Sequence, residues 1–307
     1  MRKLSGEAFQ AAAESIDVYG RPLERKTYQH IFEDAGAEEV LNELGKYQNE
    51  DGGFGNALEP DFRLPDSSPL ATSVAFQHVE MLDGDADPSD LVNPAIGYLE
   101  ATYDEDRYGW YSVPEKVNDH PHAPWWHYDP GRGGTVIDDH WGNPTAEIAG
   151  YLSKYREGVS QLDVDSLTER TIEHINSKDG FGSPNEIYCY IRLYDLLPGE
   201  LSSEMEDQIT RGVEQLVEVD PEAWVSYVPQ PLHFVNRQES PRFGIAEGSL
   251  EKNLDFLVDI LESKGRVDPS WEWGSYQAEW DVACKEWIGI LTLQALVTLR
   301  DFGRLEG

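Results

Sequence analysis

One short string recurs along the chain and dictates how it must turn. Tyr47-Gln48-Asn49-Glu50-Asp51-Gly52-Gly53-Phe54-Gly55 closes one apolar stretch, and Ser68-Pro69 opens the next. Asp179-Gly180-Phe181-Gly182 closes another, and Ser183-Pro184 follows at once. Gly142-Asn143-Pro144-Thr145-Ala146-Glu147 is a third opening of the same kind. Serine or asparagine caps the first free N–H groups of a helix, and proline at the first helical position loses nothing by lacking its own. The glycines let the backbone leave a helix with φ > 0, and the aromatic then folds back beneath the helix pair. Asp104 to Trp110 and Val267 to Gly274 are weaker copies, with Tyr108-Gly109-Trp110 and Trp271-Glu272-Trp273-Gly274 at their turns. Self-similarity of this kind marks a series of paired helices.

Between the turns, apolar residues recur at helical spacing. The pattern predicts helices over 5–18, 25–34, 39–47, 69–82, 89–101, 144–156, 165–176, 184–197, 202–218, 249–262 and 279–301. Strand-type alternation is rare, and no Asn-Gly pair joins two β-like runs. No low-complexity stretch or long linker divides the chain. Residues 1–307 therefore read as one all-α domain of roughly ten to twelve helices.

Composition narrows the partners. Asp and Glu number 58 against 24 Lys and Arg, a formal net charge of −34. A phosphate backbone needs a basic stripe and an anionic membrane needs Lys/Arg clusters, so neither is an expected partner. Hydrophobic residues at 39% are too many for a disordered chain of this charge. The acids are spread along the whole sequence, as in proteins of salt-accumulating cells, and such self-repulsion implies a fold that loosens when salt is removed. Met1-Arg2-Lys3-Leu4-Ser5-Gly6-Glu7 has no apolar run behind its basic pair, which predicts a cytoplasmic protein. No run reaches the ~18 apolar residues of a membrane span. Trp287 to Leu299 comes nearest and is broken by Gly289, Thr292, Gln294 and Thr298. Cys189 and Cys284 read as buried free thiols. No oligomeric state is assigned.

Helix, then Gln48-x-x-Asp51-Gly52-Gly53-Phe54-Gly55, then helix resembles the repeat of the terpenoid cyclases and protein prenyltransferases. Further stretches resemble prenyltransferase-like proteins of bacteria and archaea. They are Leu23-Glu24-Arg25, Tyr47 to Pro69, His120-Pro121-His122-Ala123-Pro124-Trp125-Trp126, Asn143 to Gly150, and Glu286 to Leu305. The resemblance implies a single α/α toroid, with inner helices around a central cavity and a Gln that ties helix ends to the turn. The chemistry of that superfamily does not carry over with it. Asp163-Val164-Asp165-Ser166 lacks the last acid of the cyclase Asp-x-Asp-Asp, and Asp138-Asp139 lacks the third member of a diphosphate-binding cluster. Asp281 and Cys284 have the wrong spacing for the transferase zinc, and no His follows them. No metal and no cofactor are expected.

Candidate site residues fall in four places. Glu59-Pro60-Asp61-Phe62-Arg63-Leu64-Pro65-Asp66 puts three carboxylates and an arginine in a proline-stiffened loop. Glu59, Asp61 and Asp66 are the candidate acids and bases, since crowded carboxylates push their pKa values apart. Arg63 binds ligand in that reading and pins the loop by an ion pair in the other. His120 to His127 holds three His and two Trp. His122, Trp125 and Trp126 can bind a sugar ring or an apolar tail, or they plug the underside of a long loop. A metal on these histidines is disfavoured because prolines hold them apart. Asn143 and Glu147 form either a capping box or part of a polar site. Trp287 stands among carboxylates on the last helix and faces a cavity or the core.

Three functions follow for a small apolar or sugar-like ligand. One is an enzyme acting on an isoprenoid or other apolar substrate. The second is a carbohydrate-active toroid with a carboxylate pair. The third is a non-catalytic binding or scaffold toroid.

Overall fold

The Ser-Pro and Gly-aromatic signals mark where helices begin and end. In the computed structural model, which describes residues 2–306, every regular element is a helix, and only isolated β-bridges occur among the described residues. The longer helices are α1 (Gly6–Tyr19), α2 (Pro22–Glu33), α3 (Ala37–Leu44), α4 (Pro69–Glu80), α5 (Ser89–Ala101), α6 (Gly142–Lys154), α7 (Val164–Asn176) and α8 (Pro184–Leu196). After the single turn α9 (Gly199–Ser202) come α10 (Glu206–Leu216), the short α11 (Pro231–Phe234), α12 (Glu247–Lys264) and α13 (Gln277–Asp301). The stretch read as one helix over 202–218 breaks between α9 and α10. Ser68 accepts the Ala71 N–H at 3.1 Å and Ser183 accepts that of Glu186 at 3.4 Å, as their positions before proline predict. Phe54, Trp110, Phe181 and Trp273, one aromatic from each of the four turns, are buried, whereas Tyr108 is exposed and Trp271 half-buried.

The contacts divide the chain into two compact units. The first gathers the residues up to Glu43, Val217–Glu272, and those from Gln277 on. Its core packs Ala8, Ala12 and Ile16 of α1 against Leu254, Val258 and Leu261 of α12 and Leu293, Leu296 and Leu299 of α13. By length and composition α13 can cross a membrane, the one such helix among the described residues. The gaps at Gly289, Thr292, Gln294 and Thr298 do not lower its apolar character enough to prevent this. The burial of Leu293, Leu296 and Leu299 against α1 gives that character a packing role. At the end of the unit, Arg304 is fully buried and donates to Asp255 at 2.9 Å, to Glu251, and to the Arg2 carbonyl at 2.7 Å.

The second unit is Leu44–Leu216 together with Trp273–Tyr276. Its centre is α6, buried from Gly142 through Leu152. Helix α8 lies close along it: a Cβ on Gly142 would stand 2.5 Å from the Tyr190 ring, and one on Gly150 would stand 2.9 Å from Leu196. Gln48 joins two elements by donating to the Gly52 carbonyl at 2.8 Å and the Leu91 carbonyl of α5 at 2.9 Å.

Glu100, at the end of α5, is buried and binds the turn before α7. Its carboxylate accepts the N–H groups of Ser160 (2.8 Å), Gln161 and Leu162 (3.1 Å) and the Ser160 hydroxyl (3.0 Å). Burial works to raise its pKa, but these donors outweigh burial and hold it below the usual 4.5. The unfolded chain therefore takes up this proton first on acidification, and the stabilisation, fully present above that value, fades as pH falls through the folded pKa. Glu100→Gln should be less stable than the native chain at neutral pH. The gap should close on acidification, as followed by urea unfolding at stepped pH; a gap independent of pH would contradict this account.

Candidate functional site

Two of the loops singled out in the sequence meet in the second unit. Phe62 and His122 pair as an antiparallel bridge. Arg63 N–H donates to the Pro121 carbonyl at 2.8 Å, and Ala123 N–H donates to the Asp61 carbonyl at 2.8 Å. Strand-like pairing of this kind fixes the register of both loops, so the backbones of His122 and Asp61 are held in place. Beneath the bridge, Phe62 and Trp126 pack edge to face with ring centres 5.4 Å apart. Trp126 is buried, with an indole N–H that has no hydrogen-bond partner, while Trp125 is half-buried. Trp126 is thus a plug under the loop.

The three carboxylates of the first loop take different partners. A Glu59 carboxylate oxygen accepts the Asp61 N–H at 3.3 Å. Asp61 is buried and accepts the Trp273 indole N–H at 2.8 Å. Asp66 pairs with Lys116 at 2.8 Å, where both side chains are largely in solvent. Arg63 is half-buried and turns back on the Pro60 carbonyl at 3.4 Å.

The histidines behave differently from their spacing. Asn118 clamps the base of their loop by donating to the Tyr128 carbonyl at 2.8 Å and accepting its N–H at 2.9 Å. Inside that clamp the chain curls through a 3-10 turn at Pro124–Trp126, which returns His127 to His122. The two rings stack at 5.4 Å, and His122 Nε2 stands 3.2 Å from His127 Nδ1. The prolines therefore bring these residues together instead of holding them apart. His122 is buried, and its Nδ1 lies 2.6 Å from the His120 carbonyl, so Nδ1 carries the proton and donates. Burial pushes its pKa below the usual 6.5. The His120 and Val117 carbonyls work in the opposite direction, and His127 adds to the lowering.

Tyr276 completes the arrangement. Its ring lies 5.8 Å from His122, and it is 44% exposed. Its φ of 48° is in the left-handed region, which a bulky residue adopts only when its surroundings impose it. Asn118, His122, Pro124, His127, Ser275 and Tyr276 line an open hollow of about 390 Å³. A second, sharing Asn118, is lined by Glu115, Lys116 and Asp119. Tyr276, Ser275 and Asn118 are not among the residues that the sequence singles out. The weak Trp273-Gly274 copy of the repeat is the one signal that points at this segment.

The remaining candidates lie elsewhere. Glu147 is buried between α4, α6 and α8, where it accepts from Gln77 at 3.0 Å and pairs with Arg192 at 2.8 Å. Asn143 is buried with an extended backbone at the kink in α6, and its N–H donates to the His140 carbonyl at 2.8 Å. In the first unit, Trp287 packs edge to face on Trp271 at 5.1 Å, and Trp271 in turn meets Tyr227 at 5.6 Å. Among the described residues no group of three or more His, Cys, Asp and Glu is placed to hold one ion. Compared with family models, curated proteins and solved structures, the chain matches none of them.

Proposed function

We propose that this chain is a helical binding protein that takes a small, polar, ring-shaped ligand of the sugar class in the hollow under Tyr276. The observation that carries this reading is the open hollow that the His120–His127 loop forms with Asn118 and Ser275-Tyr276, a loop braced by the Phe62–His122 bridge. Aromatic and imidazole faces with amide and hydroxyl tips beside them suit a ring that is apolar on its faces and polar at its edges. None of Glu59, Asp61 and Asp66 lines the hollow, which favours binding over acid–base catalysis by this loop there. The α/α toroid of the terpenoid cyclase and prenyltransferase type is part of the same proposal. It is supported by the Gln48 tie and by the buried turn aromatics. The acidic composition supports a cytoplasm rich in salt as its setting.

Calorimetric titration in molar KCl with mono- and oligosaccharides, and separately with prenyl diphosphates, tests the reading. A saccharide should bind, and Tyr276→Ala should weaken it at least tenfold, about 1.4 kcal/mol. The melting temperature should change little, because nearly half of Tyr276 is in solvent. Turnover of a prenyl diphosphate, or saccharide affinity indifferent to Tyr276, would overturn it.

A further inference from the structure

We propose that His122 and His127 form an open two-imidazole site for a late first-row divalent metal ion, Cu²⁺ above Ni²⁺ and Zn²⁺. The inference goes beyond the ligand reading, because it needs the two rings and no sugar. Three observations support it. The first is distance. Imidazole nitrogens bind such ions at about 2.0–2.1 Å, so two cis on a square-planar ion stand about 2.8–3.0 Å apart and two on a tetrahedral ion about 3.3–3.4 Å, a span that brackets the separation here. His122 Nε2 and His127 Nδ1 stand 3.2 Å apart.

The second is the protonation pattern. Because His122 Nδ1 donates to the His120 carbonyl, the lone pair of its Nε2 faces His127. A ligating histidine is commonly held in just this way, with its other nitrogen on a backbone carbonyl. Without an ion, the His127 Nδ1 proton fills the gap as a hydrogen bond. When an ion binds, that proton is exchanged through water to His127 Nε2, and both rings stay neutral. No net proton is released.

The third is preorganisation and access. The His122 backbone is bridged to Phe62, and the loop that carries both rings is closed by Asn118 on Tyr128. The hollow of about 390 Å³ lies over the pair and leaves room for water on the remaining coordination positions. With two protein ligands the site is weaker than a closed structural centre. Its ranking of ions should follow the general order for nitrogen donors, in which Cu²⁺ leads.

The test is a Cu²⁺ titration of the whole chain in molar KCl with excess Mg²⁺, which occupies surface carboxylates, read by electron paramagnetic resonance. One equivalent should give an axial signal split by two imidazole nitrogens. His127→Ala, which removes an exposed ring, should abolish that signal with an unchanged circular dichroism spectrum, and His122→Asn should abolish it too. His120→Ala should keep it. If His122→Asn fails to fold, His127→Ala decides the matter. A wild-type signal without nitrogen splitting, or the same signal surviving in His127→Ala, overturns the site. Either result leaves the saccharide titration untouched, since that is run without metal.

Discussion

Glu24→Ala should destabilise the protein by about 3–5 kcal/mol, the range for stripping one partner from a buried ion pair. Glu24 is 1% exposed and Arg21 8%. The Arg21 guanidinium donates to the two carboxylate oxygens at 2.9 and 2.6 Å, and the Arg21 backbone N–H adds a third bond at 3.0 Å. These bonds close the entry to α2, where Pro22 follows Arg21. Alanine at 24 leaves a guanidinium out of water beside a void and frees a backbone donor. Arg21→Met with Glu24→Leu should recover most of the loss, since an apolar pair of similar volume carries no desolvation cost. Urea unfolding in molar KCl gives both numbers. A loss below about 1 kcal/mol in Glu24→Ala would mean that Arg21 swings out to solvent, contrary to the packing described.

A second large effect is expected at Gly289. In the first unit α13 crosses the turn between α1 and α2 so closely that a Cβ on Gly289 would stand 2.4 Å from Gly20 Cα and 2.8 Å from Gly20 N. Both are backbone atoms, and neither can move without shifting a helix end. A Cβ on Gly20 would in turn lie 2.6 Å from the Ile16 carbonyl oxygen. Gly289→Ala should therefore cost at least the ~1–3 kcal/mol typical of overpacking. Gly97 is the control. It lies within α5, and a methyl group added there would meet nothing within 4 Å, so Gly97→Ala should gain up to about 1 kcal/mol from helix propensity. If both substitutions shifted stability alike, the close crossing would not be what matters at Gly289.

What the sequence made legible was local. Ser68-Pro69 and Ser183-Pro184 announced the starts of α4 and α8 to the residue, because a cap and a fixed φ are decided within three or four positions. The Gly-aromatic turns announced that a ring goes inside at each, though in the two weaker copies not which of the two. The Glu59–Asp66 and His120–His127 loops were both visible as unusual, and they meet in the structure. What stayed hidden depends on partners far along the chain. Nothing near Glu147 suggests Arg192 and Gln77, which come from two other helices, so its place after Asn143 suggested a cap. Asp61 looked like one of three equivalent acids, and its bond to Trp273 sets it apart. The histidine pair was hidden for another reason. Pro121 and Pro124, set among His120, His122 and His127, suggested separation, whereas Pro124 starts the tight turn that closes the pair.

The hollow also carries a consequence for how this protein is made. Its wall at Ser275-Tyr276, and the Trp273 that holds Asp61, belong to the second unit although Val217–Glu272 intervenes in the chain. Chains leave the ribosome at about 5–20 residues per second, and early segments fold first. Helices α4 to α10 are thus exposed before the residues that finish their own site exist. During that interval the Asp61 carboxylate and the His122–His127 pair stand without Trp273 and Tyr276 beside them. The hollow is completed late in synthesis, and any nick or permutation that parts Trp273–Tyr276 from Leu44–Leu216 should leave the helices standing and the hollow unfinished.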